Sequence, residues 1–281
     1  MEEATISILA FTKHQPNPPP PQLGIVLLTC GKLTNKKILE ELELNKKLLK
    51  QGGVPPLSTA PLAAVPGGSL PNLLRDLECC LEEVETFGTR AKIRLEQYPT
   101  PAHLAACVLH TIETSFGDIS GRLVADLGCG CGNLTVGASL LGAASVVGFD
   151  IDPDALQVFE SNRHNDFDGL RCPDDVEAVL CDVTSSVISS RWHGVFDTVI
   201  MNPPFGTKKK GIDLEFVKVG LQLAPVVYSL HKTSTRNHIV KKFEGRCQVL
   251  AQLRFNIDHS YKFHTRDSVD ISVDLIKFCK K

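Results

Sequence analysis

The chain has 281 residues, 43% of them hydrophobic and 22% charged, with a formal net charge of -2; this is globular composition and excludes fibrous and wholly disordered classes. Its apolar runs, such as 23–30 and 57–65, fall well short of the roughly 20 residues that a membrane-spanning helix needs. Met1-Glu2-Glu3 is acidic where a secretory or mitochondrial leader would be basic, so cytosol or nucleus is the expected compartment.

Charge is distributed unevenly: residues 1–70 carry +2, residues 71–205 carry -12 and residues 206–281 carry +8. The acidic middle repels phosphate, whereas the basic last third suits a nucleic-acid backbone. Ten cysteines include no Cys-x-x-Cys pair, and Cys79-Cys80 and Cys129-x-Cys131 are too close for ordinary bridges or zinc clamps. Reduced thiols are expected, with no bound structural metal.

In chain order, residues 1–69 read as a Pro/Gly-rich, disordered N-terminal extension, with nine of the 17 prolines falling in the first 70 positions. Within it, Ile38, Leu42 and Leu49 recur at helical spacing over 35–50 and predict one amphipathic helix. The folded domain is expected over 70–281. Leucines 73, 74, 77 and 81 with Val84 predict a helix over 70–87. A short polar passage, 93–100, ends Gln97-Tyr98-Pro99-Thr100, and Pro101 opens an Ala/Leu-rich helix reaching Ile112. Strand-like runs follow at 122–127, 145–150, 176–182, 196–201 and 226–230, with helical periodicity between them, as at 154–165 after Asp152-Pro153. That alternation predicts an α/β fold with a parallel sheet covered on both faces. Two further strand-like runs, 248–257 and 268–278, predict a closing antiparallel hairpin.

Asp126-Leu-Gly128-Cys-Gly130-Cys-Gly132 lies between a strand and a helix. Its glycines let backbone amides approach a ligand with no side chain in the way. The spacing is Gly-x-Gly-x-Gly, not the Gly-x-Gly-x-x-Gly of dinucleotide folds. Asp150 ends the next strand, where a carboxylate can accept both ribose hydroxyls. Asp182 ends the third, placed to accept a bond from an adenine amine beside the Val183 amide. The fourth ends Asn202-Pro203-Pro204-Phe205. If the Asn202 side-chain oxygen and the Pro203 carbonyl each accept one N–H of an exocyclic amine, the nitrogen lone pair is freed from the ring and aimed at an electrophile. Pro204 stiffens the turn, and Phe205 is suited to stacking on a base.

The glycine loop resembles motif I of the class I S-adenosylmethionine-dependent methyltransferases. More closely, residues 71–279 resemble the methyltransferase-like protein 5 family, the adenosine N6-methyltransferases of eukaryotic 18S ribosomal RNA. The matching words are Leu95-Glu-Gln-Tyr-Pro-Thr100, Ala125-Asp-Leu-Gly-Cys-Gly-Cys-Gly132, Gly148-Phe-Asp-Ile-Asp152, Met201-Asn-Pro-Pro-Phe-Gly-Thr207, Val227-Tyr-Ser-Leu-His-Lys232, Tyr261-Lys-Phe-His264 and Ser268-Val-Asp-Ile271. The resemblance implies a Rossmann-like, mostly parallel seven-stranded sheet and S-adenosyl-L-methionine as cofactor. It implies cofactor contacts by Gln97, Thr100, Asp126, Gly128, Cys131, Asn133, Asp150, Asp182, Val183 and Asn202, and direct in-line transfer without a covalent intermediate. It further implies 18S ribosomal RNA as substrate, a small zinc-binding methyltransferase-activator subunit as partner, and residence in nucleus, nucleolus and cytoplasm. Asn133 departs from the usual apolar residue, and contact there is expected through the backbone.

Two expectations accompany the motifs. The strand at 176–182 is expected at a sheet edge, where unpaired backbone invites another protein's strand. Lys208, Lys209, Lys210, Lys232, Lys262 and His264, with Arg236 and Arg266, are candidate RNA contacts, because an extruded adenosine needs its flanking phosphates held. From the motif alone, a protein glutamine methyltransferase and a DNA adenine methyltransferase stay open, as does a cofactor-binding subunit without catalysis. Phe205 and the basic end favour a base over a protein amide.

Overall fold

The computed structural model describes residues 7–8, 70–88, 91–167, 170–171, 176–258 and 268–280. The expected helix at 35–50, most of the N-terminal extension, and Lys262, His264 and Arg266 lie outside these residues. Two helices open the described domain. Helix α1 (Leu70–Glu82) packs its buried Leu77 and Leu81 in one core with Leu104, Leu109 and Ile112 of α2 (Ala102–Phe116), which ends at Gly117 in the left-handed conformation. Pro101 is the N-cap of α2, one position earlier than a first-turn proline.

The alternation follows as β2 (Leu123–Leu127), α3 (Asn133–Leu140), β3 (Ser145–Asp150), α4 (Pro153–Arg163), β6 (Val176–Leu180), α5 (Ser186–Arg191), β7 (Thr198–Met201), α6 (Ile212–Leu223) and β8 (Val226–Lys232). A short helix, α7 (Arg236–Lys242), precedes the hairpin of β9 (Cys247–Asp258) and β10 (Ser268–Cys279). Strands β4 (Asp166–Phe167) and β5 (Leu170–Arg171) form a separate two-stranded ribbon. The main sheet runs β9-β10-β8-β7-β2-β3-β6, seven strands, and β1 (Ser7–Ile8) adds a two-residue pairing outside β9. From β6 to β8 all neighbours are parallel; β10 is antiparallel to both β8 and β9. Strand β6 is the outermost strand on its side.

Both faces are buried, for a reason visible in β2. Val124 joins the core beneath α1, α2 and α3. Leu123, Ala125 and Leu127 point the other way, into a core with Phe149, Trp192, Phe196 and Phe216. Period-two alternation of side chains thus feeds two apolar layers from one strand, which explains its continuous hydrophobic reading. In the C-terminal strand β10, Asp274 is buried and is satisfied by Thr233 and a two-pronged bond from Arg236. The chain leaves β2 for β3 and β6 on one side, then returns to β7 on the other. A crevice opens at the carboxyl ends of strands where such an order reverses, so a ligand site is expected above β2 and β7. None of the helices in the described residues is long and apolar enough to cross a membrane.

Candidate active site

At those strand ends lies a cavity of ≈ 280 Å³. Its floor is the loop between β2 and α3. Gly128, Gly130 and Gly132 all have positive φ, and the Gly128 and Cys129 amides donate to the Phe149 carbonyl, turning the chain back over β3. A Cβ at Gly130 would lie 2.8 Å from the Phe87 ring. The position therefore requires glycine for space as well as for conformation.

Two carboxylates stand beside this loop, each tied into it. Asp150 accepts the Gly130 amide at 2.9 Å and the Asp152 amide at 2.9 Å; burial raises its pKa, opposed by those bonds. Asp126 is buried and accepts from the Thr135 hydroxyl at 2.7 Å through one oxygen, while its other oxygen has no partner. Burial pushes Asp126 up to about 7, against the Thr135 bond and with help from the Asp150 charge. Asp182, on the rim, holds its own turn by accepting the Thr184 amide and hydroxyl. The neighbouring thiols are neutral: burial pushes Cys131 and Cys181 up to about 12 and Cys129 well above its ordinary value. None of the three is a thiolate nucleophile near neutral pH.

Residues 91–100 form a strap along the cavity, with Arg94 to Thr100 in its wall. Gln97 donates to Asp152 at 2.7 Å, and Lys92 donates to Asp152 and Asp154 at 2.5 and 2.6 Å. Asp152 also accepts the Asp154 amide as N-cap of α4. Burial opposes its ionisation, but the Lys92 and Gln97 bonds outweigh that and hold its pKa below the ordinary range. At the far end of the strap the Thr100 carbonyl accepts from the Asn133 amide group at 3.0 Å, and the Thr100 hydroxyl accepts from the Asn202 amide group at 3.0 Å. Asn202 is thereby turned so that its side-chain oxygen, buried, is left with no partner.

All ten expected cofactor residues, Gln97, Thr100, Asp126, Gly128, Cys131, Asn133, Asp150, Asp182, Val183 and Asn202, line this one cavity. Of the Asn-Pro-Pro-Phe residues, Asn202 and Pro204 line it, the Pro203 residue between them is buried, and Phe205 does not reach it. The Phe205 ring packs against the core, with the Lys232 ammonium 5.6 Å from its centre. Lys208 and Lys209 are in the cavity wall; Lys210 and Lys232 are not. The Asn133 side chain is buried and clamps Thr100 while accepting from the Cys131 thiol at 3.3 Å. Sequence reading missed Lys92 and Glu96 and saw Asp152 only as a helix cap. Glu96 and Asp152 lie within the words Leu95-Glu-Gln-Tyr-Pro-Thr100 and Gly148-Phe-Asp-Ile-Asp152, which are their local signal; Lys92 has none.

Residues 104–202 match the family model of ribosomal protein L11 methyltransferase. The chain is 51% identical over 210 residues to rRNA N(6)-adenosine-methyltransferase METTL5 of Danio rerio, covering 73% of this chain and 98% of that protein. It is 40% identical over 209 residues to the Caenorhabditis elegans rRNA N(6)-adenosine-methyltransferase, covering 71% and 94%. Among solved structures, a Pyrococcus horikoshii protein provisionally called an RNA methyltransferase superposes with a TM-score of 0.60 at 32% identity, covering 74% of this chain and 96% of that one.

Proposed function

The chain belongs to the rRNA N6-adenosine-methyltransferase family, and from that premise we propose that it methylates the N6 amine of an adenosine in 18S ribosomal RNA by direct in-line transfer at Asn202-Pro203-Pro204-Phe205. The enzyme class, an RNA adenine N6-methyltransferase, follows from the family. The observation that carries the finer reading is the Asn202 side-chain oxygen: a buried acceptor with no partner, oriented by Thr100, in the cavity that also holds the glycine loop and the carboxylates of Asp126, Asp150 and Asp182. A buried unpaired acceptor is costly unless a ligand donor completes it.

The residues present fit S-adenosylmethionine. The wall of the cavity is side-chain-free at Gly128 and Gly130, has a second unpaired buried oxygen on Asp126, and has acidic side chains at three successive strand ends. Gln97, Thr100, Asp150, Asp182 and the Val183 amide would hold the cofactor. When bound, it supplies a methyl group on a sulfonium, activated for displacement. Asn202 Oδ1 and the Pro203 carbonyl then accept the two N–H bonds of the adenine amine and aim its lone pair, with no general base of strong basicity required. Neutral Cys129 and Cys131 fit a mechanism with no covalent enzyme intermediate.

The proposal extends to a partner, the small zinc-binding activator subunit. Strand β6 pairs only with β3 among the described residues, which leaves its outer backbone edge for an added strand. A fully active, soluble, monomeric chain would remove that reading. The proposal includes residence in nucleus, nucleolus and cytoplasm, where ribosomal RNA is made, assembled and used. The experiment is labelled-methyl transfer to purified 18S ribosomal RNA, with and without the activator, followed by nucleoside analysis. N6-methyladenosine is expected; label in protein or DNA in preference to RNA would overturn the proposal.

A further inference from the structure

The strap touches both halves of the site, and one of its residues is out of keeping with its backbone. Glu96 has φ 53 and ψ 39, the only non-glycine residue with positive φ among the described residues. That conformation favours glycine, and a strained residue kept in place near a site points to a use for its side chain. Its carboxylate accepts the backbone N–H of Lys208 at 2.8 Å, a contact across 112 positions. Lys208 lies just beyond the Asn-Pro-Pro-Phe turn, in a loop that begins and ends with positive-φ glycines, Gly206 and Gly211. A loop bounded by two such glycines can pivot. Lys209 pairs with Glu215, and the Ile212 amide donates to the Lys209 carbonyl, but both bonds stay within the loop and the helix that follows it. Glu96, by contrast, fastens the loop to the strap along the cofactor cavity.

We propose that Glu96 is a positioning residue that couples the two substrates: with the strap down over the cofactor cavity, its carboxylate holds the Lys208 loop in the place where RNA meets it. The inference rests on the RNA methyltransferase reading above. Cofactor and RNA then each favour the same strap-down arrangement, and each tightens the other's binding by one common factor, as linkage requires. One hydrogen bond between strap and loop supports a factor of roughly three- to tenfold.

The test uses the full chain together with the activator subunit, a transcript of 18S ribosomal RNA and S-adenosylhomocysteine. RNA affinity is measured with and without saturating S-adenosylhomocysteine at one salt concentration, and the reciprocal pair is measured by calorimetry. Wild type is expected to give the same ratio both ways, about three- to tenfold. Glu96→Ala and Glu96→Gly should bring it to about one whatever their absolute affinities. Glu96→Gln, which keeps the accepting oxygen, should retain it. The glycine variant removes the backbone strain and should melt close to wild type, so loss of coupling there is not loss of fold. A wild-type ratio of one, a ratio retained in the alanine and glycine variants, or a ratio lost in the glutamine variant overturns the inference. Methylation of the transcript by wild type, read in the same preparations, separates the two claims: transfer without coupling rejects the role of Glu96 alone, and no transfer to RNA rejects the reading beneath it.

Discussion

Replacing Asp126 with asparagine should change the pH dependence of stability in a direction that its surroundings dictate. The carboxyl is buried, one oxygen is unpartnered, and burial raises its pKa from the ordinary 3.8 to about 7. A folded-state pKa above the unfolded one means that the folded protein holds a proton that the unfolded chain has released. The stability associated with that proton is complete below pH 4, falls as pH rises from about 4 to about 7, and is gone above that window. About three units at 1.36 kcal/mol each set an upper bound near 4 kcal/mol. Asparagine is neutral throughout and can still accept the Thr135 bond. Urea melts of both proteins at pH 5, 6, 7 and 8, without ligand, should therefore show wild type losing stability relative to Asp126→Asn up to pH 7, by as much as about 1.4 kcal/mol per unit, with the difference levelling off between 7 and 8. Taking the difference removes the first-order contributions of Asp150 and Asp152, which both proteins keep. Parallel stability curves would refute the claim that Asp126 is protonated in the folded state near pH 6, and with it the account of burial at this oxygen.

Three further outcomes are expected. Asn202→Ala should lower methyl transfer by about 10²- to 10³-fold while calorimetry shows cofactor affinity changed by less than about fivefold, since one bond to Thr100 is lost. Gly130→Ala places a Cβ 2.8 Å from the Phe87 ring at φ +56; it should cost about 1–3 kcal/mol in a chemical melt and weaken cofactor binding in parallel. Reversing charge at Lys208 and Lys210 together should weaken RNA binding and reduce its salt slope by about two. Adding the reversal at Lys209 should contribute less, because that ammonium already pairs with Glu215 at 2.8 Å; an equal third step would contradict the pairing.

Local chemistry made the alternating architecture legible without coordinates. Runs such as 145–150 are short, β-branched and bounded by turns, and Asp152-Pro153 announces a helix start because a cap and a fixed φ act within one turn. The same holds for the glycine loop and the acids after it: their roles depend on sitting at strand ends, and strand ends are visible in sequence. The Asn-Pro-Pro-Phe turn was readable for the same reason.

Tertiary structure alone decided how the site is closed. The hydrogen bonds from Lys92 and Gln97 to Asp152, from Asn133 to Thr100 and from Lys208 to Glu96 join segments separated by 33 to 112 positions; no periodicity or propensity carries such a pairing. It also packed Phe205 against the core and made Asn133 a clamp, and it set Asp126 near neutrality, because each outcome depends on which atoms exclude water around a group. Sequence by itself determined which residues stand at the strand ends, since that depends on neighbours along the chain. The strap along the cavity and the ionisation within it depend on neighbours in space, and only the folded chain supplies those.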